Sequence, residues 1–503
     1  MTRLPAAGVP PVARLYAAAE NRELDRRAIE ALGIPGIVLM RRAGAASLAL
    51  LRSRWPAART LTVFCGRGNN AGDGYVVAGL ACSRAFEVQL LQVTDAADLK
   101  GDAARARDWA LEQGVTIEPF TSEVTLRGDV LVDGLLGTGL AGSVRPVFAA
   151  AVEKINGAGR PVLALDVPSG LAADTGCVLG CAVRATATIT FIGVKRGLLT
   201  GEGPDFAGEL EFDDLELPDV LYTEQQAPTG IRLLTLGRGD MQLPRRPRNA
   251  HKGRFGHVLV VGGDQGMGGA VALAAEAALR CGAGLVSAAT RAEHLAPILA
   301  RTPEVMVRSV ATRAALLLML DRASVVVLGP GLGQEPWAEQ LFDTVLESNL
   351  PLVVDADGLN FLAATEHRRD DWVLTPHPGE AARLLGTTTA AINDDRFAAV
   401  SALQARYGGA VVLKGVGSLI ACGDEVSLSP YGNPGMATGG TGDVLSGIIG
   451  ALVAQGLAPM RAAALGVCLH GAAGDAAAAS GAVGLAASDL APHLRRLADG
   501  ITL

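Results

Sequence analysis

Short, continuously apolar segments alternate with helical stretches along most of this chain, and they restrict its fold more than any other feature. Segments that are apolar at every position suit strands of a parallel β-sheet whose two faces are both covered. Their alternation with helices is typical of βαβ units, so the sequence predicts the α/β class. A first series consists of TLTVFCG, EVQLLQV, DVLVDG, PVLALDVPSG and TATITFIG, and a second consists of HVLVVGG, GLVSAAT, SVVVLGPG, PLVVDADG, WVLTPHPGE and AVVLKGVGS.

A change in composition separates the two series. Residues 217–253 contain prolines and mixed charges and show no hydrophobic periodicity. We place the domain junction at about 218–228, followed by an extended entry segment. The sequence thus predicts one domain over 1–220 and another over 228–503, and two domains lie within the about two to four that a prior of roughly 100–200 residues per domain suggests for this length.

Composition argues against several classes of function. The formal net charge is −7, aromatic residues make up 4%, and the most basic stretch, LPRRPRNAHKGR, is short and interrupted by proline. These features argue against nucleic-acid binding as the main activity. No apolar run approaches the ~18 residues that a membrane-spanning helix needs. We therefore expect a cytoplasmic enzyme that acts on small molecules, with no nucleic acid and no membrane among its partners.

Three polar, glycine-rich loops follow predicted strands of the first series. They are GRGNNAGDG at 66–74, DGLLGTGLAGS at 133–143 and DVPSG at 166–170. Ligands of open parallel sheets bind at the carboxyl ends of the strands, and backbone N–H groups of a glycine-rich turn can hold a phosphate. The Asn, Asp and Ser side chains would supply oxygen ligands and an acid or base. The alternative is that each loop is only a tight turn with a capping residue.

The three motifs, in this order and spacing, resemble the YjeF N-terminal domain, the NAD(P)H-hydrate epimerase family, over roughly residues 15–220. The resemblance implies a Rossmann-like αβα sandwich, with Asp166 facing the substrate as acid or base. It also implies a potassium ion held by Asn70, Asp133 and Ser169. The residues that it implies for binding the hydrated dinucleotide are Asn69, Asn70, Ala71, Gly72, Asp73, Gly137, Thr138, Gly139, Leu140, Ala141, Gly142, Ser143 and Asp166.

Two residues depart from that family's pattern. Ala71 stands where the family usually has Gly, and Arg41 stands where it often has an acidic residue. Neither change removes an implied ligand. Domains of this fold also serve as non-catalytic scaffolds in RNA-decapping proteins, but the Asn, Asp and Ser at the implied ligand positions favour catalysis here.

The second series contains the stretch NPGMATGGTGDVLSGIIGAL, in which a Gly/Thr-rich turn leads into an apolar helix. The N–H groups and the dipole at such a helix start favour an anion. Asp443 lies in the first turn, where a carboxylate could accept a proton from a hydroxyl that attacks a phosphoryl group. The alternative is an ordinary helix-start carboxylate.

TGGTGD after a long α/β series resembles the ribokinase-like superfamily, and HKGRFGHVLVVGG, GPGLG, TPHPGE and KGVGS narrow the resemblance. Together they are similar to the YjeF C-terminal domain, the ADP/ATP-dependent NAD(P)H-hydrate dehydratase family, over about 228–503. The resemblance implies that Asp443 is the base and that Mg²⁺ is bound through phosphates. It implies Lys414, Gly415, Val416, Gly417, Ser418 and Gly442 for the adenine nucleotide, and Ala270, Gly333, His377 and Asp443 for the hydrated nicotinamide nucleotide. Ser418 replaces the usual Thr and keeps its hydroxyl, and the alternative for His377 is a structural role.

The two resemblances together imply a bifunctional repair enzyme. Hydration of the nicotinamide ring puts a hydroxyl on C6; phosphorylation turns this poor leaving group into a good one, and loss of phosphate and a proton restores NADH or NADPH. The epimerase would supply the epimer that the dehydratase uses. We expect ADP, converted to AMP and phosphate, with ATP still open, and a homo-oligomer, a tetramer. The alternative is a ribokinase-like small-molecule kinase fused to a nucleotide-binding scaffold.

Overall fold

The computed structural model describes residues 13–223, 228, 230–237, 241–365 and 367–500. The chain divides into two compact units, Met1–Arg232 and Leu233–Leu503, here called the N-terminal unit and the C-terminal unit. Residues 224–227 of the predicted junction lie outside the described residues, so the limits 1–220 and 228–503 stay predictions. Among the described residues, no helix combines the length and the apolar character needed to cross a bilayer.

The N-terminal unit is built around a parallel sheet. Its described strands are β1 (Arg14–Tyr16), β2 (Thr60–Cys65), β3 (Glu87–Gln92), β4 (Ile117–Pro119), β5 (Val130–Gly134), β6 (Val162–Leu165), β7 (Ala187–Phe191), β8 (Val194–Lys195), β9 (Glu209–Asp213) and β10 (Ile231–Leu233). Its helices are α1 (Ala18–Glu30), α2 (Gly36–Arg54), α3 (Asn69–Cys82), α4 (Gly101–Glu112), α5 (Pro146–Asn156), α6 (Gly203–Ala207) and α7 (Val220–Thr223).

Seven of these strands form one sheet in the order β4-β3-β2-β5-β6-β7-β9, with every neighbouring pair parallel. All five strands predicted for this series are present, and β4 and β9 extend the sheet at its two edges. Outside this sheet, β1 pairs in parallel with β8 and antiparallel with β10.

The C-terminal unit contains a second sheet in the order β13-β12-β11-β14-β15-β16-β17-β18-β19. Its strands are β11 (His257–Val261), β12 (Leu285–Thr290), β13 (Met306–Ser309), β14 (Val325–Leu328), β15 (Leu352–Val354), β16 (Trp372–Leu374), β17 (Ala410–Leu413), β18 (Ser418–Cys422) and β19 (Glu425–Ser429). Pairing is parallel from β13 to β17 and antiparallel from β17 to β19. The six predicted strands are present, so the α/β prediction is confirmed for both units.

The described residues of the C-terminal unit form eleven α-helices. They are α8 (Gly268–Arg280), α9 (Leu295–Arg301), α10 (Arg313–Leu320), α11 (Pro336–Leu346), α12 (Asp357–Leu362), α13 (Pro378–Leu385), α14 (Thr389–Asp394), α15 (Arg396–Tyr407), α16 (Thr441–Ala454), α17 (Pro459–Ala478) and α18 (Ala491–Ala498). Helix α16 packs on α8 and on the sheet through glycines. A Cβ on Gly447 would overlap the Ala274 backbone of α8, and one on Gly450 would lie 2.5 Å from Val327 of β14. Because α16 also carries Asp443, this close packing determines where Asp443 lies.

We predict that Gly447→Ala destabilises the C-terminal unit by about 1–3 kcal/mol, because the added methyl overpacks the contact between α16 and α8. The measurement is denaturant unfolding of the full chain. Gly269→Ala is the matched control, since no atom lies within 4 Å of a Cβ at that position in α8. We expect that change to stabilise the chain by up to about 1 kcal/mol, as helical alanine does. Equal stability of the two variants would contradict the packing argument.

Candidate active sites

In the N-terminal unit, the loops that follow β2, β5 and β6 line one cavity of about 700 Å³. The carboxyl ends of neighbouring parallel strands lie at the same edge of the sheet, so loops distant in sequence meet there. Ten of the residues predicted to bind the dinucleotide line this cavity: Asn69, Asn70, Asp73, Gly137, Thr138, Gly139, Leu140, Ala141, Ser143 and Asp166.

Three other predicted residues do not line the cavity. Helix α3 begins at Asn69, and its turn carries Ala71 into the apolar core, where it is fully buried. Gly72 faces Met40 and Ala103, and a Cβ there would lie 2.5 Å from the Met40 sulfur. The N–H groups of Ala71 and Gly72 donate to the Gly68 carbonyl. Gly142 has a φ of +73° in a turn with open space around it.

Asp166 is held by a buried lysine that the sequence motifs do not reveal. The Lys195 ammonium forms an ion pair with Asp166, and the lysine side chain is fully buried while the aspartate side chain is 17% exposed. Lys195 also donates to the Phe191 carbonyl at 2.8 Å, and the Thr190 hydroxyl donates to Asp166 at 3.2 Å. Asp166 has a φ of +65°, a strained conformation that clusters at functional sites. The carboxylate is therefore fixed at the end of β6, facing the cavity.

Further carboxyl groups lie around this ion pair. Burial, with the negative charge of Asp166 next in importance, raises the pKa of Asp73 well above its ordinary value, although Lys195 opposes the shift. Burial also raises the pKa of Asp25, which lines the same cavity. Asp25 and Asp73, which tend to keep a proton, therefore lie in the same cavity as Asp166, which is paired with a cation. Such a difference in environment is what acid and base roles require.

The three residues predicted for potassium lie around Leu136: Asn70 and Ser169 bond to its backbone, and Asp133 accepts hydrogen bonds from Ser169 and from the Leu135 N–H. Ser169 donates its hydroxyl to Asp133 at 2.6 Å and accepts the Leu136 N–H at 2.8 Å. Asn70 donates to the Leu136 carbonyl at 3.0 Å, while its Oδ1 is buried without a hydrogen-bond partner. Burial raises the pKa of Asp133 to about 6, although hydrogen bonds from Ser169 and Leu135 lower it. A buried amide oxygen without a donor, beside a carboxylate and a hydroxyl, fits a hard monovalent cation.

In the C-terminal unit, the first turn of α16 lies beside a partly buried lysine, whose side chain is 20% exposed. The Lys414 ammonium is 2.8 Å from Asp355 and 3.7 Å from Glu380. A Cβ on Gly442 would lie 3.3 Å from the same ammonium nitrogen. Burial lowers the pKa of Lys414, but the two carboxylates raise it overall. The lysine is therefore a stable cation next to the N-terminus of α16.

Asp443 titrates near neutrality. Burial raises its pKa to about 7, with the Asp355 carboxylate as the next cause, and Lys414 opposes the shift. A carboxylate with this pKa can both accept and release a proton at neutral pH. Gly440, which precedes α16, has a φ of +94°, so the backbone can turn sharply into the helix without a side chain.

Ala270 and Gly333 lie near Asp264, at the ends of β11 and β14. Gly333 has a φ of +75° and donates its N–H to Asp357 at 2.9 Å. A Cβ on Gly333 would lie 2.7 Å from the Asp264 carboxylate, which pairs with Arg291 at 2.8 Å. A Cβ on the neighbouring Gly331 would lie 3.1 Å from that of Ala270. These two predicted residues therefore belong to one small region.

His377 caps helix α13. Its Nδ1 accepts the N–H groups of Gly379 at 2.9 Å and Glu380 at 3.3 Å, and the Glu380 carboxylate accepts the His377 N–H at 2.8 Å. This is a capping arrangement, so the structural alternative for this histidine accounts for its Nδ1. Its side chain is 55% exposed, and its Nε2 lies 3.4 Å from the Glu380 carboxylate.

The KGVGS turn follows β17 and packs against the Arg396 guanidinium. A Cβ on Gly415 would lie 2.8 Å from the Arg396 guanidinium, which donates to the Leu413 carbonyl at 3.3 Å. Val416 is 56% exposed at the tip of the turn, and the Ser418 hydroxyl donates to the Gly415 carbonyl at 3.0 Å. The turn therefore presents an apolar side chain and flexible backbone to solvent, beside the Lys414 ammonium.

Comparison with known proteins identifies both units. Residues 258–496 match the family model described as NAD(P)H-hydrate dehydratase, and residues 36–197 match that of the YjeF-related protein N-terminus. A bifunctional NAD(P)H-hydrate repair enzyme from Coxiella burnetii is 50% identical over 96% of this chain and 99% of its own. Its counterpart in Escherichia coli is 44% identical over 96% of this chain and 93% of its own.

The chain belongs to the bifunctional NAD(P)H-hydrate repair enzymes. A ribokinase-like superfamily protein from Enterococcus faecalis, with a TM-score of 0.51 and 30% identity, covers 56% of this chain and 100% of its own. The two family resemblances and the repair function are thus confirmed, with an epimerase domain and a dehydratase domain. The comparisons favour this function over a small-molecule kinase fused to a scaffold.

Several polar residues of the repair enzyme's candidate sites were missed by motif reasoning. They are Asp25 and Lys195 in the N-terminal unit, and Asp264, Asp355, Asp357 and Glu380 in the C-terminal unit. Two signals in the sequence could have found some of them. Lys195 follows the apolar run TATITFIGV, and Asp355 ends the apolar run PLVV. A charged residue at the end of a buried strand is costly unless it is paired, so both positions indicate a site.

We predict that Lys195→Met weakens the N-terminal unit by about 3–5 kcal/mol, because it leaves the Asp166 carboxylate without its cation. The double variant Lys195→Met/Asp166→Asn should recover much of this loss. Hydrogen–deuterium exchange of peptides covering β6 and β7 measures the local effect. Asp166→Asn alone completes the cycle, and additive effects of the two substitutions would show that the pair has no coupling.

Proposed function

We propose that dehydration takes place at the first turn of α16, with Asp443 as the base. The observation that carries this proposal is the partly buried position of Asp443 beside Lys414 and Asp355, with a pKa of about 7. Asp443 would accept the proton of the C6 hydroxyl as that oxygen attacks the terminal phosphoryl group of the nucleotide. The N–H groups at the start of α16 and the Lys414 ammonium would stabilise the negative charge of the transferred group.

The nucleotide would lie along the turn from Lys414 to Ser418 and reach Gly442 with its phosphates. Exposed Val416 would contact the base, and the absence of side chains at Gly415 and Gly417 would admit the phosphate chain. Ala270, Gly333 and His377 would contact the hydrated nicotinamide nucleotide. We propose ADP as the donor, which gives AMP and phosphate, and ATP as the alternative.

The dehydratase site fits a magnesium ion that is bound mainly through phosphates. No group of three His, Cys, Asp or Glu side chains suited to a metal occurs among the described residues. Mg²⁺ commonly keeps several waters and binds through substrate phosphates. The ion would neutralise charge on the donor phosphates, while Asp443 handles the proton.

We propose that epimerisation takes place in the cavity of the N-terminal unit. Asp166 would remove a proton from the water that returns to C6, and Lys195 would hold the Asp166 carboxylate in place. A neighbouring carboxyl group that keeps its proton, Asp25 or Asp73, would protonate the departing hydroxyl. The ring nitrogen lone pair would expel the hydroxyl and leave a planar C6 that water can attack from either face. The N–H groups of Asn69 and Asn70 and the glycine turn at 137–142 would hold the phosphates.

A potassium ion at Asn70, Asp133 and Ser169 would connect the loops that follow β2, β5 and β6. It would give the buried Asn70 Oδ1 a partner and favour the ionised form of Asp133. We also propose a tetrameric state, from the family resemblance, and a cytoplasmic location, from the composition of the chain.

We predict that Asp443→Asn reduces dehydration at least about 100-fold, the loss expected when a general base is removed, while epimerisation continues. The assay uses a mixture of both epimers of hydrated NADH with Mg²⁺ and ADP or ATP, and follows the absorbance of restored NADH and the release of phosphate. In Asp166→Asn, one epimer should be repaired at the normal rate and the other only as fast as it converts spontaneously. Rapid repair of both epimers by either variant would contradict the corresponding role.

We also predict that kcat for dehydration rises with pH through about 7 and is constant above, because the ionised form of Asp443 is the active one. Asp355→Asn removes a neighbouring negative charge, so the pKa of Asp443 falls and the inflection moves to lower pH. Asp321→Asn, an exposed carboxylate at the end of α10, is the matched control and should leave the inflection in place. An unchanged inflection in Asp355→Asn would contradict the assignment of the titration to Asp443.

A further inference from the structure

One face of helix α17 supports the loop that leads into the dehydratase site. Gly466, His470 and Gly474 lie four residues apart, as do Gly471 and Asp475, so these residues share a side of the helix. A Cβ on Gly471 would lie 2.7 Å from Tyr431, and one on Gly474 would overlap the side chain of Met436. The absence of side chains at these two positions therefore lets the loop at 431–440 lie directly on the helix.

Asp475 is the side chain of that face that holds the loop by hydrogen bonds. Its Oδ2 accepts the Gly432 N–H at 3.1 Å, and its Oδ1 accepts from the Asn433 amide at 3.0 Å. Asn433 in turn accepts the Gly435 N–H at 3.0 Å. Asp475 thus binds two consecutive residues of the loop, and Asn433 binds a third, Gly435.

The loop continues without a break into the first turn of α16. The Thr441 hydroxyl donates to the Met436 carbonyl at 3.2 Å and to the Thr438 carbonyl at 3.1 Å, which closes the loop onto the start of the helix. His470, from the same face of α17, lies within hydrogen-bonding reach of the Thr441 backbone, and its Nε2 is buried. The positions of Gly442 and Asp443 therefore depend on contacts made from α17.

We propose that Asp475 is a positioning residue for dehydration. Through Gly432 and Asn433 it holds the 431–440 loop, and through the loop it places the N–H groups and the carboxylate of the first turn of α16 against the phosphoryl group. This inference rests on the proposed location of dehydration at Asp443. Asp475 is itself exposed to solvent, so its loss should disturb the loop and leave the fold intact.

An exchange of the two paired side chains tests this role. In Asp475→Asn, one amide faces another and the hydrogen bond to residue 433 is lost; in Asn433→Asp, two carboxylates face each other. In the double variant, residue 475 again accepts the Gly432 N–H and donates to residue 433, while residue 433 still accepts the Gly435 N–H. The pair is thus restored with its charge on the opposite partner.

We predict that each single variant lowers kcat and kcat/KM for dehydration by about tenfold, because the loop acts on the transition state. KM for hydrated NADH should change less than about twofold, and the double variant should recover most of the lost rate. The epimerase rate of the same chain is the internal control and should stay unchanged, as should the melting temperature. His257→Asn is the matched control for general destabilisation of this unit. His257 is half-buried and begins β11, at the end of that strand away from the candidate site.

The outcomes separate this inference from the proposed function. If Asp443→Asn keeps its dehydration rate, the location of the site is wrong. If Asp443→Asn is inactive while Asp475→Asn is as fast as the unmodified chain, only the role of Asp475 is wrong. A double variant as slow as the single ones, or a fall in epimerase rate or melting temperature that accompanies the loss, also overturns the positioning role.

Discussion

Parallel pairing of buried strands is the constraint on which both candidate sites depend. In the N-terminal unit β2, β5 and β6 are adjacent and parallel, and in the C-terminal unit β11, β14, β15, β16 and β17 are. Every residue of β14 and β17 is buried, so polar groups are placed where these strands end. Because the strands run the same way, all of those ends lie along one edge of each sheet, and the loops that follow must meet.

Each unit places a lysine against an aspartate at that edge, fully buried in the N-terminal unit and partly buried in the C-terminal unit. Lys195 pairs with Asp166 after β6, and Lys414 pairs with Asp355 after β15. A buried ammonium is stable only with such partners, and its charge then acts on further carboxyl groups. Asp73 and Asp443 lie in these fields with raised pKa values, because burial and neighbouring carboxylates outweigh the lysine. A lysine–aspartate pair beside a carboxyl group with a raised pKa is therefore found in two domains that share no sequence motif.

In the C-terminal unit, helix packing determines where the first turn of α16 lies. Helix α16 lies so close to α8 and β14 that Gly447 and Gly450 cannot carry side chains without a shift, and α17 holds the loop that precedes it. A helix N-terminus can stabilise a phosphoryl group only where its N–H groups point. The glycines of these helices thus help to determine where the candidate site lies, although they are not themselves in it.

The sequence by itself determined the α/β class, the eleven central strands and the motif loops at their ends, because each of these depends on local apolar runs and on glycine-rich turns. It also indicated the epimerase and dehydratase families, since the motifs GRGNNAGDG and TGGTGD each consist of consecutive residues. Only the tertiary structure decided that Ala71 and Gly72 face the core, that His377 caps a helix, and that Lys195 pairs with Asp166, Asp355 with Lys414 and Asp475 with Asn433. Lys195 is 29 residues from Asp166, and Asp475 is 42 residues from Asn433. No local pattern records such pairs, because the strands and helices that bring them together are positioned by packing of the whole unit.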